Sequence, residues 1–291
     1  MSRDHPKAAN IRSMLNQMPG KSARRAMKGG NSLPVPRAEK QRYSTGLQAA
    51  NDNVSLADRA RADIANMQDE KLFSDRQLDL LGIIHPRSKN TAMVDSMRQL
   101  RTKLYSLMPE GNFSVLISSV VPGGGGSFVS LNLAATIAFD KARTAMLVEA
   151  NLHTPILHKL MKLIGQEHSA GLLEYLERPE LGVEHIVNPS GIPRMRCIPI
   201  GSHREISAEH FTSARYKQFM LDIKERYDNR FVIVDGPSMT TSADARILSE
   251  ICDFTVLVVP YGGITPGTLD SIIDEIDERR LAGIVINNEP V

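Results

Sequence analysis

The sequence predicts an α/β fold, in which a mostly parallel sheet is flanked by helices and preceded by a disordered basic N-terminal arm. From residue 113 onward, short apolar runs alternate with stretches of helical periodicity. The runs lack period-two alternation, which indicates strands buried on both faces, and their alternation with helices favours a parallel sheet. Residues 1–53 are instead rich in Pro, Gly, Ser, Asn and Arg, with one aromatic residue, Tyr43. Such a segment buries too little apolar surface to offset the entropy lost on ordering.

Six strands and five helices are predicted in the alternating region. The strands are FSVLIS (113–118), TAMLVEA (144–150), RCIPI (196–200), RFVIVDG (230–236), FTVLVVP (254–260) and LAGIVIN (281–287). The helices lie near residues 127–139, 156–164, 213–227, 243–249 and 266–280. With 42% hydrophobic residues, the chain of 291 residues holds enough apolar material for one sizeable core.

The chain divides into three predicted segments. Residues 1–53 form the arm, residues 54–110 form a helical segment, and residues 111–291 form the α/β domain. The helical segment contains a modest helix that starts near Ser55, and a second helix over residues 91–107. The second helix carries one apolar stripe, composed of Met93, Met97, Leu100, Leu104 and Leu107.

One short amphipathic helix is predicted inside the arm. Over residues 10–18, apolar side chains recur at positions i, i+3, i+4 and i+7, Asn10 is a suitable N-cap, and Pro19-Gly20 ends the pattern. The apolar residues are Ile11, Met14, Leu15 and Met18. The alternative is a chance pattern, because isolated helices this short are marginal in water.

Charge is segregated along the chain. The net formal charge is +2, but residues 1–45 hold ten of the 35 Lys and Arg residues and two of the 33 Asp and Glu residues. A basic arm thus precedes a mildly acidic body, which suits docking to an acidic partner or to an anionic membrane surface. Cys197 and Cys252 have no paired spacing, and no apolar stretch reaches the ~20 residues of a membrane helix. We therefore expect a reduced, cytoplasmic setting and a soluble chain.

Three loops of the predicted sheet carry residues suited to nucleotide chemistry. PGGGGS (122–127) follows a strand and opens a helix, so its backbone N–H groups can converge on an anion. In the pattern GxxxxGK[ST], Gly126 takes the position of the lysine and Ser127 that of the Mg²⁺ ligand. The second loop contains Glu149 and Asn151, and in the third Asp235 ends an apolar strand, as a carboxylate that holds Mg²⁺ would.

These loops resemble those of the bacterial tyrosine kinases of capsule and exopolysaccharide export, a family of P-loop ATPases with a deviant Walker motif. The family motifs PGEGKS, DADLRRP and IIDTPP correspond to PGGGGS, EANLHTP and IVDGPS in this sequence. The resemblance extends from about Asp95 to the C-terminus. The resemblance implies a P-loop NTPase-like fold for residues 111–291. It also implies that Gly123, Gly124, Gly125, Gly126, Ser127 and Asn151 bind nucleotide, that Ser127 and Asp235 hold metal, and that Asp235 and Glu149 are catalytic.

The resemblance further implies an oligomerisation element before the core. The family carries E-x-x-R-x-x-R, and Asp95, Arg98 and Arg101 match it, with the acid one methylene shorter. Spacings of three place these side chains on one helix face, suited to contacting a neighbouring subunit in a homo-oligomer. The alternative is an ordinary solvated charged face.

Departures from the family pattern fall on the chemistry. Gly126 removes the phosphate-bridging cation, Glu149 replaces an aspartate, and Asn151 replaces a second aspartate by a neutral amide. The family's tyrosine-rich C-terminal tail is not matched in this sequence, whose last tyrosine is Tyr261. Phosphoryl transfer depends mainly on positioning and charge stabilisation, so these changes predict a large loss of rate. Lys159, or Arg98 and Arg101 of a neighbouring subunit, are candidate replacements for the missing cation.

The sequence thus predicts a tyrosine-kinase-like protein of exopolysaccharide biosynthesis that is catalytically weak or inactive. It would act as the regulatory partner of an inner-membrane chain-length or export protein, peripheral at the inner face of that membrane. Its cofactor would be ATP or ADP with Mg²⁺, bound weakly, or none. The alternatives are an active ATP-dependent protein-tyrosine kinase that phosphorylates its partner, and a partitioning-type ATPase switch. The last, which would touch nucleic acid, is the least favoured of the three.

Overall fold

A computed structural model gives the structure of residues 12–13, 72–108, 111–140, 142–166, 169–201, 209–225 and 230–288. These residues contain one eight-stranded sheet in the order β1-β8-β7-β2-β6-β3-β5-β4. The strands are β1 (Arg12–Ser13), β2 (Ser114–Ser119), β3 (Thr144–Glu149), β4 (Asn188–Pro189), β5 (Met195–Ile198), β6 (Arg230–Asp235), β7 (Phe254–Pro260) and β8 (Leu281–Asn287). Only β1 and β4, at the two ends of this order, pair antiparallel. The predicted mostly parallel sheet is confirmed.

Helices cover both faces of this sheet. They are α1 (Asp75–Leu80), α2 (Thr91–Leu107), α3 (Gly126–Ala138), α4 (Leu157–Leu163), α5 (Leu172–Glu177), α6 (Glu209–Thr212), α7 (Ala214–Glu225), α8 (Ala243–Ile251) and α9 (Pro266–Asp274). The helix predicted over residues 91–107 has those bounds in the structure. The one predicted near residue 55 lies outside the described residues.

The central strands β2, β3 and β6 are buried on both faces, as their unbroken apolar runs predict. All residues of β2, β3 and β6 are buried. Successive residues of β2 face opposite sides, so Val115 and Ile117 join a core with α2, α3 and α4, whereas Leu116 joins a second core with α5, α7 and α8. The central strands therefore hold two hydrophobic layers together.

The structure differs from the prediction mainly in its short elements. The helix α5 has six residues, and β4 has two, which is too short for either periodicity to be recognised. The helix α9 ends at Asp274, whereas its prediction runs to residue 280. In the arm, Arg12 and Ser13 form a strand against Ile286 and Val285, where the sequence predicts a helix. The edge of β8 offers unpaired backbone N–H and C=O groups, and a strand can form hydrogen bonds with them. A helix cannot, because its own backbone groups are already paired within the helix. The rest of that predicted helix lies outside the described residues.

The strand register brings the three predicted loops to one edge of the sheet. Asp235 pairs with Ile117 on one side and with Glu149 on the other. The carboxyl ends of β2, β6 and β3 are therefore adjacent, which is where parallel α/β sheets bind their ligands. Over the described ranges, no helix combines the length and the apolar character that crossing a membrane requires.

Candidate functional site

The phosphate loop, residues 122–127, joins β2 to α3 through a backbone path that requires glycine. Gly123 has φ of 74° and Gly125 has φ of 93°, both in the left-handed region that side chains with a Cβ disfavour. Gly125 is also the N-cap of α3, and no side chain caps the helix there. The first backbone N–H groups of this 13-residue helix are thus left for an external acceptor, the usual arrangement for binding an anion.

Gly126 is the first residue of α3 and is buried against β2. A Cβ built on it would lie 3.1 Å from the backbone nitrogen of Ser119, a close but not prohibitive contact. Within the described parts of the chain, no lysine or arginine side chain donates a hydrogen bond to the phosphate loop. The loop has therefore kept its path without a cation of its own.

Asp235 ends β6 beside the phosphate loop and is 1% exposed. Its Oδ1 accepts a hydrogen bond from the hydroxyl of Ser130 at 3.1 Å, whereas its Oδ2 is buried and has no hydrogen-bond partner among the described residues. Burial raises the pKa of the Asp235 carboxyl to about 7, with a further increase from the charge of Glu149, although the Ser127 and Ser130 hydroxyls act in the opposite direction. Oδ2 is thus the atom of this carboxyl group that the described residues leave without a hydrogen bond.

Glu149 is fully buried, and the backbone uses both of its carboxylate oxygens. Its Oε1 accepts from the N–H groups of Ile156 at 2.5 Å and Leu157 at 2.6 Å, and its Oε2 accepts from that of Ile200 at 3.1 Å. Burial raises the pKa of Glu149, and these three donors oppose the increase. Through these hydrogen bonds, the side chain links the end of β3 to the start of α4 and to the residues after β5. Sequence reasoning placed Glu149 at this edge but missed this role.

Asn151 shapes its own loop. Its Oδ1 accepts from the N–H groups of His153 at 3.2 Å and Thr154 at 3.3 Å, and its Nδ2 donates to the Thr154 hydroxyl at 3.0 Å. This is an Asx turn, in which the side chain stands in for a backbone group. No hydrogen bond joins Asn151 to the described atoms of the phosphate loop.

Asn287 contacts the phosphate loop and was not predicted. Its Nδ2 donates to the carbonyl oxygen of Gly124 at 3.1 Å, and its own backbone oxygen accepts from the N–H of Tyr261 at 2.8 Å. A Cβ on Gly125 would lie 1.9 Å from the same Nδ2. The sequence does place a polar residue, Asn287, at the carboxyl end of the last apolar run. An asparagine at the end of a strand is too common, however, for this position to predict a contact with the phosphate loop.

The three charged residues of the predicted oligomerisation element do not act alike. Arg98 and Asp95 are exposed, and the Nη1 of Arg98 lies 3.8 Å from the Oδ1 of Asp95. Arg101 instead donates from Nη1 to the carbonyl oxygen of Thr136 at 3.1 Å, near the end of α3, and its guanidinium lies 5.9 Å from the centre of the Tyr105 ring. One of the two arginines is thus used inside the chain, and the assembly of subunits stays a prediction.

Lys159, a candidate replacement for the missing cation, lies on α4. It lines a cleft together with Glu149 and Ile200, and no residue of the phosphate loop lines that cleft. Lys159 thus lines a surface to which the phosphate loop does not contribute.

No protein-family model matches the chain. It is similar to the putative tyrosine-protein kinase EpsB of Ralstonia solanacearum, with 28% identity over 228 residues, which cover 74% of this chain and 30% of the relative. It is also similar to the tyrosine-protein kinase YwqD of Bacillus subtilis, with 28% identity over 64% of this chain and 75% of the relative. Among solved structures, the BceF tyrosine kinase domain superposes with a TM-score of 0.60 at 24% identity, covering 77% of this chain and 88% of that domain.

These comparisons confirm the resemblance that the loops predicted. The chain's homologues are named bacterial tyrosine-protein kinases, and its fold is that of their kinase domains. The chain spans under a third of the length of the EpsB relative, so the activity of that whole protein does not transfer by similarity alone.

Proposed function

We propose that the chain is a nucleotide-binding, tyrosine-kinase-like protein of exopolysaccharide or capsule biosynthesis in which phosphoryl transfer is weak or absent. One observation carries this proposal: the phosphate loop keeps its left-handed glycines and the uncapped start of α3, while position 126 has no side chain. Left-handed glycines and an uncapped helix start together leave backbone N–H groups free to bind phosphate without a side-chain cation.

The residues present fit a nucleotide with Mg²⁺. The backbone N–H groups at the start of α3 suit phosphate oxygens, and Ser127 and Asp235 lie together as hydroxyl and carboxylate ligands for the metal. The unpartnered Oδ2 of Asp235 is the observation that favours a cation at this place. When bound, Mg²⁺ would neutralise charge on the phosphates, and Ser127 and Asp235 would fix its position.

The same geometry explains why catalysis is expected to be poor. Without a lysine at position 126, the phosphate loop itself offers no ammonium group to the charge that develops during transfer. Glu149 cannot readily act as a base or metal ligand, because its oxygens already accept three backbone hydrogen bonds. Asn151 carries no charge and is hydrogen-bonded within its own turn. Binding is thus retained by the backbone, and the side chains that accelerate transfer are missing or engaged.

Calorimetry of the full chain with Mg-ATP and Mg-ADP tests the nucleotide part of the proposal. The informative pair is Gly126→Lys and Gly126→Ala, because both add a Cβ near Ser119 and only the first adds a cation. We expect Gly126→Lys to bind Mg-ATP at least about tenfold more tightly than the wild type, since a charged hydrogen bond contributes ~1.5–3 kcal/mol. Gly126→Ala should bind no more tightly than the wild type. Equal affinities for both variants would contradict the assignment of position 126.

A transfer assay distinguishes the proposed regulatory protein from an active kinase. Labelled phosphate from ATP should not appear on tyrosine of the chain or of a co-purified partner above the level given by Asp235→Ala. Incorporation that Asp235→Ala abolishes would instead establish an active kinase.

The proposed partner is an inner-membrane chain-length or export protein, contacted through the basic arm at the inner face of the membrane. Support comes from the sequence, in which residues 1–45 hold ten Lys and Arg residues and only two Asp and Glu residues. The arm itself lies almost entirely outside the described residues. Reversing Arg24 and Arg25 to Glu in the full chain should reduce sedimentation with anionic vesicles and leave Mg-ADP binding unchanged. If the arm instead confers salt-sensitive DNA binding, a nucleic-acid partner is favoured.

A further inference from the structure

A cleft of about 540 Å³ lies apart from the phosphate loop, between α4, the start of α5 and the residues that follow β5. This volume is in the usual range for small-molecule sites, ~300–1,000 Å³. Its walls are partly apolar, where Met161 and Ile200 contribute, and partly charged. None of residues 120–127 lines it, although Glu149, which pairs with Asp235 at the same edge of the sheet, does.

Both carboxylates that line the cleft accept hydrogen bonds from the backbone. Glu149 accepts three backbone hydrogen bonds, as described above. The Oε2 of Glu174 accepts from the N–H of Gly171 at 2.9 Å and packs against Gly201, where a Cβ would lie 2.0 Å away. Gly201 has a φ of 99°, a conformation that favours glycine. Because glycine has no Cβ, it also leaves room for the Glu174 carboxylate. The negative charges of the cleft are thus held by fixed N–H dipoles.

The cationic side chains of the cleft are not matched in this way. Lys159 on α4 and Arg178 at the end of α5 both line it and are both exposed. Neither makes an ion pair or a side-chain hydrogen bond within the portion of the chain that the structure describes. A third basic residue, His158, lines the same cleft and acts electrostatically on Glu149. Among the described residues, no acidic side chain forms an ion pair with Lys159 or Arg178.

We propose that this cleft binds a small organic phosphate monoester, with the phosphate between Lys159 and Arg178 and the organic part against Met161 and Ile200. A guanidinium pairs with two phosphate oxygens at once, and an ammonium adds a point charge, so the two together suit a dianion. The apolar wall favours a monoester over inorganic phosphate, which has no group to place there. This site is independent of the nucleotide-binding function proposed for the phosphate loop.

Calorimetric titration of the full chain with phenyl phosphate, at low ionic strength, tests the proposal. The wild type should bind one equivalent, more tightly than it binds inorganic phosphate. Lys159→Ala and Arg178→Ala should each weaken binding by about tenfold, as expected for the loss of a charged hydrogen bond. Lys162→Ala is the matched control, because Lys162 is exposed on the same helix and does not line the cleft. Its affinity should stay within about twofold of the wild type.

A second variant separates the cleft from the phosphate loop. Gly126→Asp places a carboxylate at the start of α3, which repels an anion from the loop and leaves the cleft untouched. Phenyl phosphate affinity should be unchanged in Gly126→Asp. The proposal is overturned if the wild type shows no binding, if the Lys159→Ala/Arg178→Ala double variant binds like the wild type, or if Gly126→Asp abolishes binding. Circular dichroism of each variant checks that a lost signal does not come from unfolding.

Discussion

The Nδ2 of Asn287 donates a hydrogen bond to the carbonyl oxygen of Gly124 at 3.1 Å, and this contact joins the last strand to the phosphate loop. Asn287 is 3% exposed, and its backbone oxygen also accepts from Tyr261. The path of the loop is thus fixed from outside the loop itself. The same amide leaves no room for a side chain at position 125.

This relationship predicts coupling between positions 125 and 287. Gly125→Ala should destabilise the fold, because alanine is strained at a φ of 93° and its Cβ would meet the Asn287 amide at 1.9 Å. Asn287→Ala alone should cost about 1–3 kcal/mol, since the buried Gly124 carbonyl loses its partner. In the double variant the collision is absent, so its cost should fall below the sum of the two single costs. Urea denaturation measures all four proteins, and strict additivity would contradict the contact.

Glu149 should be more important to stability than an exposed glutamate. Glu149→Gln replaces one acceptor oxygen by a donor that faces backbone N–H groups, which should cost about 2–4 kcal/mol. Glu177→Gln, in an exposed position of α5, is the control and should change stability by less than about 0.5 kcal/mol. The measurement is the free energy of unfolding at neutral pH. Similar values for the two variants would show that the buried hydrogen bonds contribute little.

The pKa of Asp235 predicts a pH dependence of stability in the absence of metal. Because the folded pKa is raised from 3.8 to about 7, the unfolded chain releases this proton first as pH rises. The folded state therefore loses stability between about pH 4 and pH 7, by up to roughly 4 kcal/mol as an upper limit.

Asp235→Asn removes this titration while keeping the shape of the neutral acid. Without Mg²⁺ or nucleotide, the stability of the variant should lie closest to that of the wild type near pH 4 and should exceed it by a growing margin as the pH rises to 8. Asp270→Asn, an exposed change on α9, controls for the general loss of a carboxylate. A stability difference between wild type and Asp235→Asn that does not vary with pH would refute the raised pKa.

The two arginines of α2 should differ in their effect on stability. Arg101→Ala removes the hydrogen bond to the Thr136 carbonyl and the contact with Tyr105, which should cost about 1–2 kcal/mol. Arg98→Ala removes an exposed pair at 3.8 Å, which should cost less than about 0.5 kcal/mol. If subunits assemble through this helix, Arg98→Ala should shift the oligomeric state measured by light scattering. Equal destabilisation by the two changes would argue against the internal role of Arg101.

Much of the fold could be predicted because its signals are local. Each long parallel strand is a continuous apolar run, so β7 and β8 have the bounds that the runs FTVLVVP and LAGIVIN indicate. The helix α2 has a sustained stripe at helical spacing and was predicted over its whole length. The two-residue strand β4 and the six-residue α5 carry no such period, and their positions depend on packing against β5 and the second core.

The sequence by itself determined the α/β class, the order of the loops and the loss of the lysine at position 126, because apolar periodicity and residue identity are written directly in the chain. Only the tertiary structure decided what the polar residues at the sheet edge do. Glu149 accepts hydrogen bonds from three backbone N–H groups, Asn287 donates to the Gly124 carbonyl, and Lys159 lines a cleft to which the phosphate loop does not contribute. The physical reason is that a hydrogen bond depends on which groups the register and the packing bring within about 3 Å, and residues far apart in sequence carry no local trace of that proximity.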